Sequence, residues 1–169
     1  MKASSSVTQA AEFTAFVRET GTQLHHAAML LTGDHHLAED LTQATYAKVF
    51  VSWRRVQAAD SPLAYARTTL LNTFLSHRRL RRSGERPGDL TPPDEGHQPD
   101  PGTRLDLLEA LRTLAPLDRA IVVLRYWEDR SVAETAADLG LTETTVRTRA
   151  RRALQRLRPL VDIPERTFP

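Results

Sequence analysis

The stretch Ser131–Arg158, SVAETAADLGLTETTVRTRARRALQRLR, constrains this chain more than any other. Ser131 is a helix cap, and Glu134 stands three residues on, the spacing of a capping box. Ala133, Ala136, Ala137 and Leu139 are read as the small-residue apolar face of a first helix. Gly140 supplies the positive φ that ends it, and Thr142 caps a second helix. In that helix Val146, Ala150, Ala153, Leu154 and Leu157 recur at the 3.6-residue period, one buried face. Thr144, Thr145, Arg147, Thr148, Arg149, Arg151 and Arg152 are left for the other faces. Two short helices joined by a glycine turn, the second rich in Thr and Arg, read as a helix-turn-helix whose second helix suits a DNA major groove. Thr144, Thr145, Arg147 and Thr148 are expected at base edges, and Arg149, Arg151 and Arg152 at phosphates.

Composition narrows the setting. The formal net charge of the 169-residue chain is only +2, so the basic residues matter by placement. Six arginines lie between Arg147 and Arg158, and Arg78, Arg79, Arg81 and Arg82 form a second cluster. With no cysteine in the chain, disulfides and thiolate zinc sites are excluded. No apolar run approaches the roughly 20 residues of a membrane span, and the N-terminus lacks the apolar core of a signal peptide. A cytoplasmic protein is expected.

One segment stands apart. Residues 83–103, SGERPGDLTPPDEGHQPDPGT, hold five of the ten prolines and four of the seven glycines, with mostly acidic ionisable groups. Such a segment cannot bury a core and reads as a linker. Extended, it reaches at most about 70 Å. The expected architecture is therefore all-α, with two small helical domains, 1–82 and 104–169, joined by a flexible acidic linker.

Before the linker the periodicity is helical. Phe13, Phe16 and Val17 begin a helix that resumes through Leu24, Ala27, Ala28 and Leu31. Gly33 stops it, and Asp34 caps a second helix carrying Leu37, Ala38, Leu41, Tyr46, Val49 and Phe50. Ser61-Pro62 opens a third, with Leu63, Ala66, Leu70, Phe74 and His77 on its apolar face. After the linker, Leu105, Leu108, Leu111 and Leu114 mark one helix, and Pro116 opens another through Ile121 and Tyr126.

Two outward faces hold candidate binding groups. Tyr65, Asn72 and Arg79 recur every seven residues and share a face. An aromatic ring, an amide and a cation together can stack on and hydrogen-bond to unpaired bases. On the helix after Asp34, the residues Asp40, Gln43, Ala44 and Ala47 cluster opposite the large apolar side chains, a face that either meets solvent or receives another helix. His25, His26, His35 and His36 form two pairs, but neighbours on a helix diverge by about 100°, so no metal site is expected. No pattern of catalytic groups or cofactor-binding loop is present, so neither an enzyme nor a cofactor is expected.

Taken together, GDHHLAEDLTQATYAKVF (Gly33–Phe50), SPLAYARTTLLNTFLSHRRLRR and LRYWEDRSVAETAADLGLTETTVRTRARRAL (Leu124–Leu154) resemble the extracytoplasmic-function sigma factors of bacterial RNA polymerase, most of all the actinobacterial SigE-like branch. The resemblance covers most of the chain outside the linker and the ends. It implies that Asp40, Gln43, Ala44 and Ala47 bind the clamp helices of the polymerase β′ subunit, and that the β flap is a further contact of the chain with core polymerase. It also implies that the Trp53–Arg82 portion melts the promoter and reads the −10 element as a single strand. There the loop around Arg55–Ser61 would help hold a flipped base, and Tyr65, Asn72, Arg78, Arg79 and Arg82 would lie against DNA. The helix-turn-helix would read the −35 element as duplex, and an anti-sigma partner would control the whole. The chain departs from the family pattern at Ala44, where Glu is frequent, at Ser76, where Asp is common, and at Thr144, where Gly is common.

Overall fold

A computed structural model describes the backbone of residues 2–84 and 106–161, and the side chains of residues 7–78 and 106–161. Most of the linker, together with the side chains of Arg79, Arg81 and Arg82 and with Leu105, lies outside these residues. The N-terminal half comprises α1 (Lys2–Thr32), α2 (His35–Val51), the short α3 (Trp53–Gln57) and α4 (Pro62–Gly84). The C-terminal half comprises α5 (Leu107–Arg112), α6 (Pro116–Val122), a π-helical turn Val123–Trp127, α7 (Val132–Leu139) and α8 (Glu143–Leu157). No strand occurs among the described residues.

Local chemistry sets the breaks. Gly33 ends α1 at φ 66°, and its N–H donates to the Met29 carbonyl at 2.7 Å. The Asp34 carboxylate then accepts from the Leu37 N–H at 2.9 Å, capping α2. That bond is the chief reason its pKa falls below the ordinary carboxylate range. Ser61 caps α4 through its hydroxyl, which accepts from the Ala64 N–H. The helix then runs through Gly84, two residues beyond the expected domain end. The interruption expected in the first helix is absent, and α1 is continuous past Gly21. A backbone space there faces the Tyr46 hydroxyl, whose oxygen shares a 2.9 Å hydrogen bond with Thr20.

Apolar burial follows the expected periodicity with exceptions on α2, α4 and α7; on α2, Leu37 and Phe50 are exposed. On α4, Ala66, Leu70 and Phe74 are buried, but His77 is exposed and Leu71 takes its place in the core. On α7, Ala136 is buried while Ala133 and Ala137 face solvent, with Thr135 fully enclosed instead. The Thr135 hydroxyl donates to the Ser131 carbonyl at 2.8 Å. Satisfied in this way, the hydroxyl can be buried without an unpaired donor.

An aromatic cluster fills the far end of the N-terminal half. Phe13, Phe16, Tyr46 and Trp53 pack ring against ring with centroids 5.1–6.4 Å apart, the tilted and edge-on arrangements that such rings favour. A second core joins the halves. It gathers Ala28 and Leu31 of α1, Leu70, Leu71 and Phe74 of α4, Leu111 and Leu114 around α5, Val123 and Leu124 of the π turn, and Leu157 of α8. The two halves are thus docked through shared apolar packing.

Polar contacts of Arg119 and Arg67 also fasten that dock. Arg119 is 2% exposed. Its guanidinium donates to the carbonyls of Leu111 at 2.9 Å, Leu114 at 3.0 Å and Leu31 at 2.7 Å. Burying a cation is costly unless it is fully hydrogen-bonded. Here it meets the carbonyl-rich ends of α1 and α5, where a helix dipole favours positive charge. The second contact joins Arg67 of α4 to Glu128 at 2.6 Å. The Glu128 side chain is only 6% exposed, and burial raises its pKa against the opposing pull of Arg67 and Arg130.

Candidate nucleic-acid interface

The helix-turn-helix is built as its sequence demands. The Ser131 hydroxyl accepts from the Glu134 N–H at 3.1 Å, while the Glu134 carboxylate accepts from the Ser131 N–H at 2.8 Å. This reciprocal pair holds Glu134 ionised below the usual carboxyl range. Gly140 sits at φ 64°, and the Leu141 N–H returns to the Ala136 carbonyl at 2.9 Å. The Thr142 hydroxyl accepts from the Thr145 N–H and shares a 2.8 Å bond with the Thr145 hydroxyl. Ile121 of α6 packs with Ala136, Val146 and Ala150, so α6 is the platform that fixes the angle between α7 and α8.

The outer face of α8 presents Thr144, Arg147, Arg151 and Arg152 to solvent, with Thr145 and Thr148 half-buried beside them. Arg147 pairs with Glu143 one turn back at 2.7 Å. Arg149, expected at a phosphate, has a partner within the protein. It turns back to α6 and pairs with Asp118 at 2.7 Å. A guanidinium in that bond braces the helix-turn-helix against its platform, and reaching a phosphate would require it to leave Asp118.

The face on α4 is also assembled. Arg55 of α3 donates to the Tyr65 hydroxyl at 2.9 Å and lies 5.8 Å from the ring centroid. The same hydrogen bond lowers the Tyr65 pKa, with help from Ser52. Asn72 is exposed. Arg78 lies over the Phe74 ring at 5.7 Å. Ser61 stands at the start of α4 with its oxygen already capping the helix. The side chains of Arg79 and Arg82 lie outside the described residues.

On α2, Asp40, Gln43 and Ala47 are exposed and Ala44 is half-buried, while Ala38, Leu41, Thr45 and Val49 face the core. The face continues past its expected end to Val51, which is 86% exposed. A β-branched apolar residue so exposed could have been found from its spacing, four residues beyond Ala47.

The histidines gather near the α1–α2 corner. His25 and His35 lie 5.5 Å apart by ring centroid, and His35 pairs with Glu39 at 3.2 Å. Among the described residues no group of three or more His, Cys, Asp or Glu is placed to hold a metal. No helix among them is long and apolar enough to cross a membrane.

Comparison with known proteins matches the chain in two parts. Residues 16–84 match the family model for Sigma-70 region 2, and residues 104–157 match that for Sigma-70, region 4. The chain is 36% identical over 149 residues to the RNA polymerase sigma-E factor of Streptomyces coelicolor, covering 87% of this chain and 84% of that one. It is 30% identical over 163 residues to the ECF RNA polymerase sigma factor SigL of Mycobacterium tuberculosis, covering 89% of each. Among solved structures it is similar to the sigma factor RpoE in its complex with the anti-sigma factor NepR from Bartonella quintana. The TM-score is 0.69 at 27% identity, covering 90% of this chain and 99% of that one.

Proposed function

This chain belongs to the extracytoplasmic-function sigma factors, which direct RNA polymerase to particular promoters, and from that premise we propose how its faces divide the work. The α8 face from Thr144 to Arg152 reads the −35 element as duplex. The Arg55–Tyr65–Asn72 face, with Ser61, Arg78, Arg79 and Arg82, captures the melted −10 strand. Asp40, Gln43, Ala44 and Ala47 meet the β′ clamp helices, and the C-terminal half meets the β flap. The linker joins domains 1–82 and 104–169. The chain works in the cytoplasm and catalyses nothing itself.

The observation that carries this reading is that the three faces are separately exposed on one scaffold. Each has the chemistry its target needs. A rigid helix with Thr and Arg suits a groove. An aromatic ring polarised by a guanidinium, with an amide on the same face, suits unpaired bases. A polar face with small residues lets another helix approach closely.

Melting then needs no catalytic group. A surface that binds only the open strand shifts the equilibrium by its differential affinity. Opening costs about 1.4 kcal/mol per base-pair step, so a few captured bases and phosphates act on the right scale, and the polymerase supplies the remainder.

An anti-sigma partner is part of the proposal, supported by the similar sigma factor seen with NepR. The test is run-off transcription with purified core enzyme on promoters mapped after overexpression. Promoter-specific transcripts are expected only when the chain is added. Failure to bind core or to start at defined sites overturns the reading.

A further inference from the structure

One basic hollow lies between two of the faces described so far, sharing Val51 with the α2 face and Arg55 with the α4 face. It is a basin of about 450 Å³ between the first turns of α1 and the α2–α3 corner, lined by Gln9, Val51, Ser52, Arg54 and Arg55. Among the described residues no carboxylate lines it. The nearest one on α1, Glu12, accepts from the Gln57 side chain at 2.9 Å. Arg54 is exposed and has no ion-pair partner among the described residues. Val51 offers a bare apolar surface at the rim.

The basin shares a wall with the candidate single-strand face. Arg55 lines it and at the same time donates to the Tyr65 hydroxyl. Ser52 also lines it and lies within hydrogen-bond influence of that hydroxyl. A strand stacked at Tyr65 therefore has the basin as its next stop along the protein surface. The hollow is open and shallow, a surface that a passing strand can lie across and not a closed pocket. A guanidinium attracts a phosphate, an apolar wall packs against a base, and the Gln9 amide can donate to or accept from a base edge.

We propose that this basin seats one further nucleotide of the non-template strand, adjoining those captured by Tyr65 and Asn72. Arg54 holds its phosphate, Val51 packs on its base, and Gln9 contacts the base edge. The inference rests on the reading of α4 as a single-strand surface. It adds a specificity-determining position outside residues 16–84, because Gln9 lies N-terminal to the region 2 match.

The experiment uses holoenzyme reconstituted with the full chain and a fork-junction promoter DNA whose non-template −10 region is single-stranded. The sequence is taken from a start site mapped for this sigma factor. Arg54→Ala is expected to weaken DNA binding about fivefold and to lower the salt slope by about 0.7, the value of one single-strand phosphate. Gln9→Ala is expected to flatten base preference at one position next to the −10 element. A single methylphosphonate at the held phosphate should weaken the wild type and leave Arg54→Ala unchanged. Core affinity, measured in parallel, should not move, and Tyr65→Ala serves as the reference. If Tyr65→Ala weakens fork binding while Arg54→Ala changes neither affinity nor salt slope, the basin proposal alone is wrong. If Arg54→Ala weakens core binding instead, the basin belongs to the polymerase and the proposal is overturned. If Tyr65→Ala has no effect either, the single-strand reading of α4 fails with it.

Discussion

The guanidinium of Arg119 donates to the main-chain carbonyl of Leu31 at 2.7 Å, across 88 residues of sequence. One side chain of the C-terminal half thereby completes the last turn of the first helix of the N-terminal half. Its remaining donors close the end of α5. The fold uses a single buried cation where two helix ends would each need their own cap.

Replacing that cation should be expensive. Arg119→Met keeps much of the volume but removes the side-chain donor from the carbonyls of Leu31 and Leu114, each worth about 1–3 kcal/mol if left unpaired, while Leu111 keeps the Leu114 N–H. A urea unfolding midpoint well below that of the wild type is expected. Distance measurements between labels on α2 and α8 should also broaden, because the same bonds dock the halves. A midpoint equal to wild type would show that packing alone holds the dock.

Glu128 gives a pH signature. Its folded pKa is raised above 4.5 by burial, so the folded state binds its proton more tightly than the unfolded state does. The contribution to stability is full below pH 4.5 and is lost as pH rises through the folded value. Glu128→Gln should therefore gain stability relative to wild type as pH rises through that window, provided the Arg67 contact is kept through the amide oxygen. Paired unfolding curves from pH 4 to pH 7 check this. A stability difference that does not vary with pH would contradict it.

Two glycines in the left-handed region should respond differently to alanine. Both Gly33→Ala and Gly140→Ala impose a conformational cost of about 1–2 kcal/mol. At Gly140 the added methyl meets nothing within 4 Å. At Gly33 it falls 2.5 Å from Cγ and Cδ of Arg112, a side chain of the other half. The Gly33 variant should thus be less stable than the Gly140 variant and should alone disturb docking, as thermal unfolding and inter-label distances would show. Equal losses at the two sites would argue against a tight contact at Arg112.

The arginines of α8 should separate by role. Arg151→Ala and Arg152→Ala are expected to weaken −35 DNA binding at every sequence and to lower the salt slope by about 0.9 each. Arg149→Ala should instead behave like Asp118→Ala, with the double variant little worse than either single one, because both remove the same brace. Anisotropy titrations of holoenzyme against −35 duplex over a range of salt distinguish the two classes. A full phosphate-type salt slope change for Arg149→Ala would place it on DNA.

The sequence was most readable where one residue type has one physical use. Gly33 and Gly140 mark their turns, Ser131 with Glu134 closes its box, and Val146 to Leu157 form the buried face of α8, all as their spacing requires. Small residues carried less information. Alanine buries so little area that Ala133 and Ala137 could not be told from Ala136, and Thr135 gave no sign that its hydroxyl would be satisfied within the helix. The docking of the halves was hidden for another reason. Leu31, Leu71 and Leu111 are apolar whether they cover their own domain or a neighbour's, so periodicity identifies the stripe and not its occupant. Arg119 offered a faint signal, a lone cation before the unbroken apolar run Ala120–Leu124, but an arginine in a helix normally reads as solvated. Tyr65 and Asn72 were legible as a face. Arg55 and Arg54 were harder to place, because α3 is a five-residue helix whose direction only packing determines.

The shared core also bears on how the protein is made. α1, α2 and α4 leave the ribosome before α5 and α6 do, so Leu31, Leu70, Leu71 and Phe74 emerge without Leu111, Leu114 and Val123 to cover them. The Leu31 carbonyl waits for Arg119 in the same interval. At about 5–20 residues per second, the thirty-odd residues from Gly84 to Arg119 take a few seconds to synthesise. For that time the nascent chain carries a sticky, half-finished surface. Until Arg119 arrives, that surface is open to association, as the exposed apolar surface of any partly folded chain is.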